Sequence, residues 1–144
     1  VARQWFKHMV GITRNETSRR YVSDEPEFWS PYRWRLAAEN KKQGSSDEFY
    51  PNMDMSYAYQ ELVRHAEDVY KAMIKKNIAP EQARAVLPQS MMTEWIETGS
   101  LAAAARIYKL RIDEHAQKEI QELAKYFSEA VNGIAPVCWK YLTI

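Results

Sequence analysis

Val1–Tyr21 reads VARQWFKHMVGITRNETSRRY. Val1, Trp5, Met9 and Ile12 recur at spacings of four, four and three, which is one face of a helix. That spacing predicts a helix from Val1 to about Thr13, weakened at its last turn by Gly11. Asn15 to Ser18 then reads as a loop, and Arg20 to Val22 as a short extended piece. Arg3, Lys7 and Arg14 fall off the apolar face. With Arg19 and Arg20 they give this stretch five cations against one acid, Glu16. The other 123 residues hold 15 cations and 18 acids, so the basic charge is concentrated here. Gln4, His8, Asn15, Thr17 and Ser18 add donors and acceptors between the charges. Forked guanidiniums, an imidazole, an amide and a hydroxyl suit a phosphorylated, hydrogen-bonding small molecule. On charge alone, a solvated basic face is the commoner explanation of such a cluster.

The remainder of the chain is ordinary for a globular protein. Its 144 residues allow one domain, and 46% hydrophobic with 27% charged residues allow one buried core. The single cysteine, Cys138, excludes an internal disulfide and fits a reducing, cytoplasmic compartment. No apolar run approaches the roughly 20 residues of a membrane span. The basic run is too short and too mixed for a nucleic-acid arm. His8, His65 and His115 are too scattered for a metal site, and Cys138 has no histidine nearby in sequence to activate it. The chain opens at Val1, inside an apparent helix and without a capping residue, so the natural protein is expected to be longer at its N-terminus.

Pro26, Pro31 and Pro51 keep Ser23 to Asn52 irregular. Within it, residues 39–48 (ENKKQGSSDE) read as a flexible polar loop. Phe28, Trp29, Tyr32 and Trp34 either pack that region down, the reading we prefer, or wall a ligand site. A long helix is expected from Asp54 or Ser56 to Asn77, with Tyr59, Leu62, Ala66, Val69 and Met73 as its stripe. Pro80 opens a short helix that carries Arg84 and ends at Leu87. Ser90 to Glu97 alternates weakly and reads as a strand, and Gly99 as a turn. Ser100 suits the N-cap of Leu101–Leu110, whose four consecutive alanines permit close approach. Asp113 is the expected cap of the next helix, with a stripe of Ala116, Ile120, Leu123, Phe127 and Val131. Gly133 is its expected stop and Pro136 starts a last turn.

Three segments in this order resemble the flavin-dependent thymidylate synthases. The first is Arg3-Gln4-Trp5-Phe6-Lys7-His8 with Asn15-Glu16-Thr17-Ser18-Arg19-Arg20-Tyr21. It is similar to a family signature of Arg-His-Arg, seven residues and Ser. Here the triplet is Lys7-His8-Met9, and eight residues separate Met9 from Ser18. The second is Ala83-Arg84-Ala85-Val86-Leu87-Pro88. The third is Leu110-Arg111-Ile112-Asp113-Glu114-His115-Ala116-Gln117-Lys118-Glu119-Ile120. Between them the chain departs from the family, with Ser100-Leu101-Ala102 for Asn-Ala-Arg and Arg106 for Asn.

The resemblance implies an α+β fold, mostly helical in this segment, with a few short strands belonging to an antiparallel sheet. It implies methylation of dUMP to dTMP, with methylenetetrahydrofolate as carbon donor and FAD recharged by NADPH. Gln4, Lys7, Glu16, Ser18, Arg20, Arg84 and Arg111 match dUMP-holding positions, and Arg111 the residue that favours ionisation at pyrimidine N3. Lys7, His8, Met9, Glu16, Ser100, Leu101, Ala102 and Arg106 match positions around FAD. A homotetramer with shared sites is implied, and neither nucleic acid nor membrane nor metal. Cationic side chains make chemical sense here, because uracil C5 attacks only when charge developing on the ring is stabilised. The rival reading is a non-enzymatic helical module that binds an anionic partner through its basic N-terminal segment.

Overall fold

The computed structural model describes residues 1–19, 25–39 and 44–144. Its elements are helix α1 (Ala2–Trp5), strands β1 (Ile12–Glu16), β2 (Arg35–Ala37) and β3 (Ser45–Phe49), helix α2 (Asp54–Lys75) and the short helix α3 (Pro80–Ala83). A 3-10 turn, Arg84–Val86, leads to β4 (Trp95–Gly99) and helices α4 (Leu101–Arg111), α5 (Lys118–Ile134) and α6 (Pro136–Thr143). The class is α+β, predominantly helical, with two small antiparallel ribbons, β1 with β4 and β2 with β3. The described residues gather into two compact units. One comprises Val1–Asn15, Leu36–Asp47 and Ile96–Ile144, the other Glu16–Arg35 and Glu48–Trp95.

In the first unit α4, α5 and α6 pack on one another. Their core holds Ala103, Ala105, Ile107, Ile120, Ala124 and Trp139, joined by Trp5 from α1, and Ile107 and Ile120 are fully buried. Ile120 and Ala124 lie one turn apart on the inward stripe of α5, as its periodicity requires. Ala103 and Ala105 are buried within the alanine run, so close approach is realised there. Ser100 is the expected N-cap, its hydroxyl accepting from the Ala103 amide at 3.2 Å. Ser100→Ala should cost about 1 kcal/mol, read as a lowered denaturation midpoint with an unchanged slope.

The expected helix to Thr13 is corrected. Helix ends at Trp5, and Ile12–Glu16 is a strand. Gly11 sits at φ +76°, a left-handed conformation that breaks a helix and suits glycine. β-branched Ile12 and Thr13 then favour extended backbone. Met9, counted on the apolar face, is 73% exposed. The Asn15–Ser18 loop is corrected likewise: Asn15 and Glu16 belong to β1. At the far end of the ribbon, a Cβ on Gly99 would meet Ile12 Cγ1 at 2.9 Å and the Gly11 carbonyl at 3.0 Å. Gly99 is the last residue of β4, directly before the Ser100 N-cap of α4, and not a separate turn.

Other expectations need smaller changes. The loop assigned to residues 39–48 gives way to strand β3 from Ser45, while residues 40–43 lie outside the described residues. The strand expected over Ser90–Glu97 starts only at Trp95, although Met91 bridges Phe28. Asp113 caps a turn, accepting from the His115 amide at 2.8 Å; α5 begins later, after Gln117. Gly133 is inside α5, which runs to Ile134. The long helix matches expectation, ending at Lys75 with Asn77 at φ +59°. Leu62 of its stripe is 60% exposed, whereas Tyr70 is buried.

Candidate functional site

The first unit gathers a polar cluster where α1, β1, β4 and the end of α4 meet. Arg111, in the last turn of α4, donates from Nε to His8 Nε2 at 2.8 Å and from Nη2 to the Gln4 carbonyl at 3.0 Å. Its guanidinium is thereby aimed at the Gln4–His8 segment, and among the described residues it pairs with neither Asp113 nor Glu114. Arg106, one turn and a half earlier, donates to the Val10 carbonyl. Both arginines of α4 therefore grip the Gln4–Val10 stretch.

A second brace holds the same segment from below. Arg14 on β1 pairs through Nε with Glu97 on β4, and its Nη1 donates to the His8 carbonyl at 2.6 Å. Glu97 also accepts from Trp5 Nε1 at 3.0 Å. Arg14 and Glu97 are missing from the expected site set. Their signal is legible only once β1 is read as a strand, where Ile12 and Arg14 share one face.

Two buried polar atoms in this cluster, Gln4 Oε1 and Arg14 Nη2, have no hydrogen-bond partner. One is an acceptor and the other a cationic donor, so a ligand carrying both kinds of group fits them. His8 carries its proton less readily than an ordinary histidine. Partial burial is the largest cause, followed by the positive charges of Arg111, Arg14 and Arg106, with Glu97 acting in the opposite sense.

The remaining expected flavin positions of this unit present an exposed rim: Lys7, Met9, Leu101, Ala102 and Arg106. Ser100 and Gly11 bring the first turn of α4 close to this rim, with the Ser100 amide donating to the Gly11 carbonyl at 3.2 Å. A cationic rim beside a helix N-terminus favours anionic groups. Met9, where the family has an arginine, offers only an apolar, polarisable contact.

The second unit holds the other expected dUMP positions. Glu16 accepts from the Thr93 hydroxyl at 2.8 Å. Ser18 is half-buried just past β1, and Arg84 is exposed at the start of the 3-10 turn. Arg20 lies outside the described residues. Thus Gln4, His8 and Arg111 come together, while Glu16, Ser18 and Arg84 belong to the other unit. The aromatics of that unit divide. Trp34 packs edge-on against Tyr59, whereas Tyr32 is 92% exposed. Phe28, Tyr59 and Val63 line an open cavity of about 210 Å³. Among the described residues, no group of His, Cys, Asp or Glu forms a metal site, and no helix is long and apolar enough to cross a membrane.

A cluster of guanidiniums around one imidazole, beside two unpartnered buried polar atoms, marks this end of an α+β protein. The chain belongs to the thymidylate synthase complementing protein family, whose model matches residues 1–137. Relatives named flavin-dependent thymidylate synthase include that of Thermus thermophilus, 33% identical over 139 residues, covering 96% of this chain and 51% of the relative. That of Aquifex aeolicus is 39% identical over 133 residues, covering 91% of this chain and 42% of the relative. That of Treponema denticola is 34% identical over 142 residues, with 95% and 53% covered. The chain spans about half the length of these relatives. In fold it is similar to the crystal structure of a UMP/dUMP methylase, PolB, from Streptomyces cacaoi bound with 5-Br dUMP. The TM-score is 0.81 at 24% identity, covering 99% of this chain and 65% of that one.

Proposed function

We propose that the protein containing this chain is a flavin-dependent thymidylate synthase that methylates dUMP at C5 to dTMP. FAD is the flavin, NADPH the reductant and methylenetetrahydrofolate the carbon donor; the protein works in the cytoplasm as a homotetramer. Family membership supports the reaction class. The observation that carries it to particular residues is Arg111, held half-buried by His8 and by the Gln4 carbonyl, beside the unpartnered Gln4 side-chain oxygen.

The roles follow from the donor types. Arg111 places a fixed cation where charge grows on the pyrimidine N3/O4 edge. In a partly dry site such a cation stabilises the transition state more than water does. Gln4 Oε1 is suited to accept a ring N–H. Lys7 neutralises phosphate as a point charge, without the fork of an arginine. Arg20, Arg84, Glu16 and Ser18 are the other positions that the family resemblance assigns to dUMP. Lys7, His8, Met9, Glu16, Ser100, Leu101, Ala102 and Arg106 are the positions that the resemblance assigns to the flavin, which would supply the hydride when bound. No protein nucleophile is needed, and Cys138 is exposed on α6.

Tritium release from 5-tritiated dUMP tests the reading. The intact protein with FAD, NADPH and methylenetetrahydrofolate should release tritium, and its bound-flavin absorbance should shift on adding dUMP. A protein that binds no flavin and releases no tritium refutes it.

A further inference from the structure

We propose that His8 is the positioning residue for Arg111: a neutral imidazole accepting at Nε2 fixes the guanidinium, and a proton on His8 releases it. The inference rests on the role given to Arg111 above and adds the device that orients it.

The geometry sets the tautomer. Arg111 Nε has a proton and cannot accept, so at 2.8 Å His8 Nε2 must be the acceptor and the ring proton must sit on Nδ1. With Nη2 anchored on the Gln4 carbonyl at 3.0 Å, two bonds fix the plane of the guanidinium. Nη1 has no hydrogen-bond partner among the described residues, so it is the edge left for a ligand.

His8 is itself held. Its carbonyl accepts from Arg14, which is tied to Glu97 on β4. The charged groups facing the imidazole are Arg111 and Arg106 from α4, Arg14 from β1 and Glu97 from β4; the facing residue of α1, Gln4, is uncharged. Three cations against one carboxylate resist a fourth positive charge. At neutral pH the ring therefore stays an acceptor. In acid it becomes a donor facing a donor, and the Arg111–His8 bond cannot form. Lys7 and Met9, on either side of His8, have no such bond to α4 among the described residues.

Two measurements on the intact protein test this. Histidine labelled with 13C at Cε1 gives the titration of His8, assigned by its loss in His8→Gln. The expected midpoint is below 6.5, the ordinary value. It should move upward in Arg111→Gln, which removes the nearest cation. A midpoint that stays put in Arg111→Gln overturns the pairing. The second measurement is kcat for tritium release between about pH 5 and 8. His8→Gln keeps an acceptor that takes no proton in that range, and should lose the acid fall in kcat that the unaltered protein shows. His8→Leu keeps no acceptor, and its kcat should lie on the order of ten- to a hundredfold below that of His8→Gln. An acid fall unchanged in His8→Gln, or equal kcat for the two variants, overturns the positioning role. No tritium release from the unaltered protein at any pH refutes the thymidylate synthase reading instead, and the histidine titration still decides the Arg111–His8 pairing.

Discussion

Arg111→Ala is expected to lower tritium release from 5-tritiated dUMP by on the order of 10²–10³-fold, the usual cost of removing one fixed donor from the site of developing charge. The loss should fall mainly on kcat, because the pyrimidine ring gains negative charge on the way to the transition state and the neutral ground-state ring has less to gain from the guanidinium. Stability should fall by only about 2 kcal/mol, too little to unfold a domain of ordinary stability. Arg111 is the last residue of α4, and its two hydrogen bonds go to His8 and a carbonyl, so their loss costs about 1 kcal/mol each. Arg111→Lys separates charge from shape. It keeps a cation but cannot bond His8 and the Gln4 carbonyl at once while presenting a free donor edge. It should recover a minor part of the lost rate. Turnover equal to the unaltered protein in Arg111→Ala removes Arg111 from the mechanism, and full rescue by lysine removes the need for a fixed plane.

How much of this was legible in the sequence differs from element to element. Helix α2 is legible because its stripe and its stop at Asn77 agree. The cap at Ser100 is legible because a serine ahead of an alanine run has a single local reading. The Val1–Thr13 stretch misleads, because four apolar residues happen to fall at helical spacing across a left-handed Gly11. Strand β3 is Ser-Ser-Asp-Glu-Phe, with no apolar alternation to betray it. Its pairing with β2 is tertiary information that local propensity lacks. The site divides in the same way. Arg111 and His8 emerge from resemblance, but the bond between them joins residues 103 positions apart. Arg14 and Glu97, 83 positions apart, carry no local mark at all.

Trp5→Ala is the stability counterpart, with an expected cost of about 3–5 kcal/mol. α1 is a single turn of four residues, far too short to be stable by its own hydrogen bonds. What holds it is Trp5, 2% exposed, with its ring edge-on to Phe127 at 5.2 Å and its Nε1 bonded to Glu97. Phe127 in turn meets Trp139, so the α1 anchor reaches the centre of the α4–α5–α6 core. Truncation leaves a cavity the size of an indole, and it strips from the half-buried Glu97 carboxylate one of its two partners among the described residues, leaving Arg14. Against a total of about 5–15 kcal/mol, that loss consumes a large share. It should lower the thermal midpoint by roughly 6–20 °C, at about 2–4 °C per kcal/mol for a chain near this size. Trp5→Phe separates packing from polarity, because it refills most of the cavity but leaves Glu97 with Arg14 alone. Its cost should be about 1–2 kcal/mol. The same substitution bears on the site, since Gln4 precedes Trp5 and Lys7 and His8 follow within one turn. A loosened α1 moves the acceptors of Arg111. Trp5→Phe should therefore keep the fold and still lower the affinity for dUMP. A Trp5→Ala protein that unfolds within about 1 kcal/mol of the original would show that α1 is not anchored through this ring.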